Sequence, residues 1–311
     1  MQQESKVKLK GFKNNYCDAV YCALGEFVDP SKYDINLLND EELKTLCEYS
    51  VVKNIMAGVE FLNIKVPRFG VGRWALDKYN IAGKEVVDAE QISLLPTSAL
   101  IGERLVVELD NLSEYSPNFL SEVSEFVALS KCGLIIKLGQ DLEEVGKLVN
   151  KYKISPVEML ESFGFLDRHC QVYGLNYIDK DDQKLLNNYN ISCIFSPLSD
   201  GEEGRGAINL YNFIYNDLKF GFSSGKCYNI NMLLQAKLAF LNTSNLMLDN
   251  SLLDVGMLLD CLTYKDGKIE LEFDECERIE NVLNKSVLRE HNDYKILREK
   301  VKNIAKELKE I

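Results

Sequence analysis

Hydrophobic residues in this chain gather into short runs that alternate with longer amphipathic stretches. The runs are Val7–Phe12, Val59–Val66, Ile92–Pro96, Leu105–Leu109, Leu134–Leu138, Cys170–Gly174, Ile191–Phe195 and Lys219–Phe222. Each has the length of a strand, and most are apolar throughout rather than at alternate positions, as strands buried on both faces are. Between them lie EELKTLCEYSVVKNIMAG, SPNFLSEVSEFVALSKC, LEEVGKLVNKY, DKDDQKLLNNYN and INLYNFIYNDL, which read as amphipathic helices. Asp40, Ser116–Pro117, Ser155–Pro156 and Asp179 mark helix starts, because such residues accept the free amides of a first turn or preset its backbone. Strands alternating with helices imply parallel pairing, and eight is the number that closes a barrel. The pattern predicts an α/β chain folded as a (β/α)8 TIM barrel over about residues 7–248.

Beyond that point the pattern changes. LDVGMLLDCLTYKDGKIELEFDE reads as a helix followed by a short hairpin, and DYKILREKVKNIAKELKEI as a charged amphipathic helix. No repeat, low-complexity tract or Gly/Ser linker interrupts the chain. All 311 residues therefore read as a single domain, with 249–311 a helical C-terminal cover.

Composition narrows the function. Lys and Arg total 36 against 48 Asp and Glu, a net of −12 that disfavours nucleic acid or an anionic membrane as partner. No apolar run reaches the roughly 18 residues of a membrane span. Nine cysteines occur with no CxxC pair, and the opening MQQESKVKLK has no secretory pattern. Both point to reduced thiols in the cytoplasm. Only two histidines are present, His169 and His291, too few for a histidine-rich metal centre.

Two glycine motifs invite a nucleotide reading. Gly70-Val-Gly72-Arg-Trp-Ala75 has the letters of a dinucleotide turn, but Pro67-Arg68-Phe69 separates it from the preceding strand, so it reads as a plain loop. Gly221-Phe-Ser-Ser-Gly225-Lys226-Cys227 is one residue short of a P-loop, and Cys227 replaces the magnesium-binding hydroxyl. It reads better as an anion-accepting helix N-terminus. A triad of Ser223, His169 and Asp18 lacks the GxSxG elbow.

The strand ends carry a more ordered likeness. Lys10-Gly11-Phe12-Lys13-Asn14-Asn15-Tyr16-Cys17-Asp18 stands where "PGxVNxHxH" would, and Ile135-Ile-Lys137-Leu-Gly139-Gln140 to Val145 where "HxAET…EV" would. Gly164-Phe165-Leu166 and His169-Cys170 follow a "G.L…HC" run, Ser196-Pro197-Leu198-Ser199-Asp200 a "CPxSN" turn, and Phe220–Ser223 with Asn229–Ala236 an "LGTD…MxxExxxA" ending. In this order, over about residues 8–245, the chain resembles the amidohydrolase superfamily in its cytosine-deaminase and chlorohydrolase branch.

That resemblance implies a barrel of the metal-dependent hydrolase type, here without the branch's accompanying β-sandwich. It also implies a divalent metal held by histidines from strands one and five and an aspartate from strand eight, with a glutamate acid and a strand-six histidine beside it. The carried-over positions depart from this set. Tyr16 and Asp18 replace the strand-one histidines, Lys137 the strand-five histidine, Gln140 the acid and Ser223 the aspartate, while His169 is matched to the strand-six histidine. A protonated lysine cannot ligate a cation, and a glutamine has no proton to give.

The expected site is therefore a polar pocket of Tyr16, Asp18, Lys137, Gln140, His169, Ser199, Asp200 and Ser223, in which Asp18 pairs with Lys137 and no metal or other cofactor is held. Asp18, Lys137 and His169 are the residual candidates for chemistry. The favoured function is binding of a small molecule or a protein partner, with metal-dependent hydrolysis lost. Two enzyme readings stand beside it: a hydrolase or deaminase of non-peptide C–N bonds with a non-standard site, where zinc or iron is weakly bound, and a lyase using Lys137 as a Schiff-base amine. A third places the C-terminal helix, residues 293–311, as a docking element for a related subunit or a second copy in a homo-oligomer.

Overall fold

The continuous apolar runs become parallel strands because their residues are buried on both faces. In the computed structural model of the protein, which describes residues 7–95, 104–166, 169–273 and 279–310, eight strands share one sheet, six of them formed from these runs. In chain order the strands are β1 (Val7–Lys10), β2 (Phe12–Asp18), β3 (Val59–Lys65), β4 (Ala82–Asp88), β5 (Leu105–Leu109), β6 (Gly133–Leu138), β7 (Cys170–Gly174), β8 (Ser192–Phe195), β9 (Lys219–Phe222) and β10 (Glu270–Phe273). The eight-stranded sheet runs β2 to β9 in sequence order, with parallel pairing at β2–β3 and from β5 through β8. A parallel bridge from Cys17 to Gly225 ties β2 to the segment after β9. The fold is the expected (β/α)8 barrel.

The helices are α1 (Ala19–Leu24), α2 (Asp40–Met56), α3 (Val71–Lys78), α4 (Pro117–Ser130), α5 (Leu142–Tyr152), α6 (Pro156–Ser162), α7 (Lys180–Asn188), α8 (Pro197–Glu202), α9 (Leu210–Tyr215), α10 (Met232–Met247), α11 (Val255–Leu262) and α12 (Tyr294–Glu310). Their starts follow the capping logic of the sequence. Asn39 and Glu42 form a reciprocal capping box on α2, Ser155 and Glu158 another on α6 ahead of Pro156, and Ser116 and Asp179 cap α4 and α7. Among the described residues, no helix is long and apolar enough to cross a membrane.

Two strands lie elsewhere than the apolar pattern predicts. The first barrel strand is β2, not Val7–Phe12. Val7–Lys10 alternates between half-buried and exposed residues and pairs antiparallel with β10 in a separate two-stranded ribbon. Glu270–Phe273 thus pairs far along the chain instead of closing a local hairpin. The third barrel strand is β4, whereas Ala89–Leu94 forms a 3-10 turn and Pro96 lies outside the described residues. Polar residues hid both: Asn14 and Asn15 in β2, and Lys84 and Glu85 in β4.

The chain gathers into two units, Met1–Glu85 with Phe222–Leu238 and Asp254–Ile311, and Val86–Gly221 with Ala239–Leu253. Within the first, α12 buries Leu297, Val301, Ile304, Ala305 and Leu308, stacks Tyr294 on Tyr49 of α2 with ring centroids 5.5 Å apart, and pairs Arg298 with Glu26 at 2.7 Å. The apolar stripe of this helix is used inside its own unit, which removes it as a free docking face.

Gly83 tests the β3–β4 pairing. It takes φ +152°, and a Cβ there would overlap the carbonyl oxygen of Leu62. Gly83→Ala is expected to cost about 2–4 kcal/mol, read as a lowered urea midpoint with unchanged m-value, since strain of this kind belongs to the severe class of single substitutions. A wild-type midpoint would show that the strand relaxes freely.

Candidate functional site

Residues at the C-terminal ends of barrel strands are the ones free to meet a ligand, because the βα loops of that face build the pocket of this fold. The two units supply different ends and are described in turn.

In the first unit, β2 ends in Tyr16, Cys17 and Asp18, all buried. Asp18 caps α1 by accepting from the Tyr21 amide at 3.2 Å. Asn14 knits this end to the segment after β9: its Nδ2 donates to Asn54 Oδ1 and to Ser224 Oγ, both at 2.8 Å, and its Oδ1 accepts from the Ser224 amide at 3.0 Å. Ser223 is fully buried beside this network. The Gly225 amide goes to Tyr16 O at 3.1 Å and the Cys227 amide to Ser224 O at 3.0 Å. The amides expected to receive an anion are therefore bound within the protein, and α10 begins only at Met232. The other glycine motif has the same fate. Gly70 and Gly72 both donate to Glu85 Oε1, at 2.8 and 2.9 Å, so a buried carboxylate fills the α3 N-terminus. Burial raises the Glu85 carboxyl above its ordinary range, and those amides pull the other way.

In the second unit, Lys137 lies near the end of β6, with 4% of its side chain exposed. Its Nζ is 2.9 Å from Glu108 Oε1 and 2.8 Å from Asp110 Oδ2, carboxylates at and just beyond the end of β5. Glu108 has none of its side chain exposed. Neither carboxylate was singled out from sequence; the signal was there in Glu108-Leu-Asp110, an acidic strand end one strand before a lysine.

Gln140 follows β6. Its amide donates to Glu144 Oε2 at 3.0 Å, and its buried Nε2 has no hydrogen-bond partner among the described residues. Asp200, near the start of α8, is 2% exposed, and its Oδ2 likewise has none. Burial pushes the Asp200 carboxyl up to about 7 against the opposing pull of Asn176 and Arg205, and pushes Glu144 to about 7 against its bond from Gln140. Ser199, beside Asp200, donates to Glu203 Oε1 at 3.1 Å.

His169 departs from its expected place. It precedes β7, and its carbonyl accepts from the Leu134 amide near the start of β6, at 3.0 Å. Five strand residues, on the order of 16 Å, separate it from the C-terminal end. There the chain has Gly174 at φ +103°, where a Cβ would lie 2.6 Å from Gln140 Cγ and 2.9 Å from Leu138 O. Tyr173, buried, is the last side chain of β7 before it.

Comparison with known proteins reproduces the fold. An amidohydrolase from Brucella melitensis superposes with a TM-score of 0.80 at 12% identity, covering 97% of this chain and 90% of that one. A zinc-bound adenosine deaminase from Xanthomonas campestris gives 0.77 at 9% identity over 98% and 87%. A zinc-bound atrazine chlorohydrolase from Arthrobacter aurescens gives 0.72 at 11% over 83% and 70%. In sequence, the 5-methylthioadenosine/S-adenosylhomocysteine deaminases of Caldicellulosiruptor saccharolyticus and Halothermothrix orenii are each 26% identical, over 129 and 164 residues. Those matches cover 40% and 51% of this chain but only 30% and 38% of the relatives' own length. No family model matches. Sequence and fold both fit the amidohydrolase superfamily.

The metal that this superfamily implies does not fit the residues present. Among the described residues, no group of three or more His, Cys, Asp and Glu side chains is arranged to hold an ion. At the strand-five position the side chain is an ammonium already bound to two carboxylates.

Two outcomes follow for the second unit. Removing Lys137 strands a fully buried carboxylate, so Lys137→Met is expected to cost about 3–5 kcal/mol. Adding Glu108→Gln should recover part of that loss in chemical denaturation. An equal or larger loss in the double variant would mean that the pair is not the source. The second outcome concerns pH. The folded Asp200 carboxyl titrates near 7 against an ordinary 3.8, so the native state holds its proton where the unfolded chain has released it. Its contribution is full below about pH 4 and lost as pH rises to about 7. Asp200→Asn should flatten stability between those values, measured as unfolding midpoint against pH.

Proposed function

We propose that this chain is a ligand-binding member of the amidohydrolase superfamily in which metal-dependent hydrolysis is lost. The observation that carries the reading is Lys137 ion-paired with Glu108 and Asp110 at a strand end where the superfamily resemblance calls for a metal ligand. That no group of three or more His, Cys, Asp and Glu side chains among the described residues is arranged to hold an ion supports it. The ligand is a small polar molecule. Asp200 Oδ2 and Gln140 Nε2, an acceptor and a donor buried in the same unit, are the groups best suited to receive it. Adenosine-type nucleosides are the first candidates, because the curated relatives are named as deaminases of 5-methylthioadenosine and S-adenosylhomocysteine. The eight described cysteines are free thiols, which supports a reducing, cytoplasmic location.

The lyase reading is not favoured: two carboxylates at ion-pair distance stabilise the ammonium of Lys137 over the neutral amine that adds to a carbonyl. A protein partner remains the alternative occupant; the apolar stripe of α12 is buried within its own unit, so a partner there would meet the helix's exposed face.

Metal analysis of protein purified without chelator, ammonia release from 5-methylthioadenosine and thermal shift with the same nucleoside test the proposal together. Expected are metal well below one equivalent, no ammonia above blank and a raised unfolding temperature. Stoichiometric zinc or iron together with ammonia release would establish the active-deaminase reading instead.

A further inference from the structure

The first unit contains a second chemical cluster, apart from the strand-end carboxylates and lysine. Strand side chains alternate, so Cys17 faces away from its neighbours Tyr16 and Asp18. It points to α1 and α2, where its sulfur lies 3.1 Å from the Cys22 sulfur, 3.5 Å from Ser50 Oγ and 3.7 Å from Asn54 Nδ2. Asn54 is held in turn by the Ser50 carbonyl at 3.0 Å and by Asn14. Cys22 Sγ is 2.8 Å from the Cys227 carbonyl, and the Lys53 ammonium donates to the Cys22 carbonyl at 2.9 Å and to the Tyr228 carbonyl.

We infer that Cys17 and Cys22 form a peroxide-responsive dithiol, which closes to an intramolecular disulfide between the end of β2 and α1. Two features carry this. The sulfurs are already closer than a van der Waals contact, so closure needs a shift of about 1 Å to the roughly 2.05 Å of a disulfide. The Asn54 amide and the Ser50 hydroxyl also lie against the Cys17 sulfur, whereas the Cys22 thiol donates to the Cys227 carbonyl, which sorts their roles. Burial alone would raise the Cys17 thiol, but hydrogen bonds from Cys22, Ser50, Ser224 and Asn54 outweigh it and lower it below the usual thiol range. Burial and the neighbouring Cys17 hold Cys22 well above that range. Cys17 is thus the attacking thiolate and Cys22 the resolving thiol.

The oxidant is hydrogen peroxide, small enough to reach a buried sulfur through local opening of the short α1. The Cys17 thiolate attacks one peroxide oxygen: an S–O bond forms, the O–O bond breaks, and the departing hydroxide leaves as water with a proton. The Cys22 sulfur then attacks Cys17; the S–S bond forms, the S–O bond breaks, and the second water leaves with the Cys22 proton. Two thiols lose two electrons in total, and one peroxide becomes two waters.

Lys13 and Lys32 flank both cysteines, so trypsin releases them in one peptide, residues 14–32. Folded, reduced protein is exposed to graded hydrogen peroxide, unfolded in iodoacetamide, digested and weighed. The expected species is this peptide without either alkyl group and two hydrogen masses lighter, restored to the doubly alkylated form by dithiothreitol. Double alkylation of the peptide at doses that already oxidise exposed methionine would overturn the proposal. In Cys22→Ser protein, dimedone should mark Cys17 as a sulfenic acid, whereas Cys17→Ser should leave Cys22 unmarked. Marking of Cys22 and not Cys17 would reverse the assigned roles and defeat the inference. If neither variant folds, the wild-type peptide decides alone.

Discussion

A lysine ammonium taken out of water must be met by fixed charge, or the structure around it cannot persist. Lys137 meets that condition with Glu108 and Asp110. The carboxylates come from the end of β5 and the cation from β6, so the parallel register of these strands places opposite charges side by side. The cluster supplies its own cation. Its positive charge is covalently part of the chain.

The same economy recurs wherever the sequence suggests an external anion or nucleotide. The amides of Gly70 and Gly72 are taken by Glu85, those of Ser224 and Gly225 by Asn14 and the Tyr16 carbonyl. Helix N-termini and glycine turns attract negative or polar acceptors as a matter of backbone electrostatics. Here the acceptors are internal. Motif letters report that an amide cradle exists; they carry no information on whether the chain itself fills it.

That distinction also marks how far the sequence could be read. β5 to β9 lie close to where continuous apolar runs predict them, since a strand covered on both faces needs little else to declare itself. β2 and β4 escaped because their polar residues are satisfied inside: Asn14 and Asn15 by side-chain and carbonyl partners, Glu85 by two amides. Lys137 and Gln140 were legible as strand-end residues, because their positions follow from the run Leu134–Leu138, whereas Asp18 was reached only through the family resemblance. His169 was not legible in place. The motif match carried it to the site although it directly precedes the run Cys170–Gly174, and its pairing with Leu134 places it at the strand's start. Glu108 and Asp110 were legible in type but not in partnership, which depends on strand register.

Separation of stability from chemistry along the barrel axis explains how such a site can change while the fold persists. The structures it resembles at TM-scores of 0.72–0.80 share only 9–12% of residues with it. What such chains hold in common is the alternation of buried strand and capped helix, and that is carried by apolar runs and helix starts rather than by ligands. Side chains at strand ends contribute little to closing a barrel, but those that are buried and polar must still be satisfied. Lys137 meets this with its two carboxylates. Asp200 Oδ2 and Gln140 Nε2 have not been satisfied in this way. Among the described residues they share that state with Asn63 Oδ1, Glu85 Oε2 and Asn176 Oδ1, and what sets the two apart is their place just after the ends of β6 and β8.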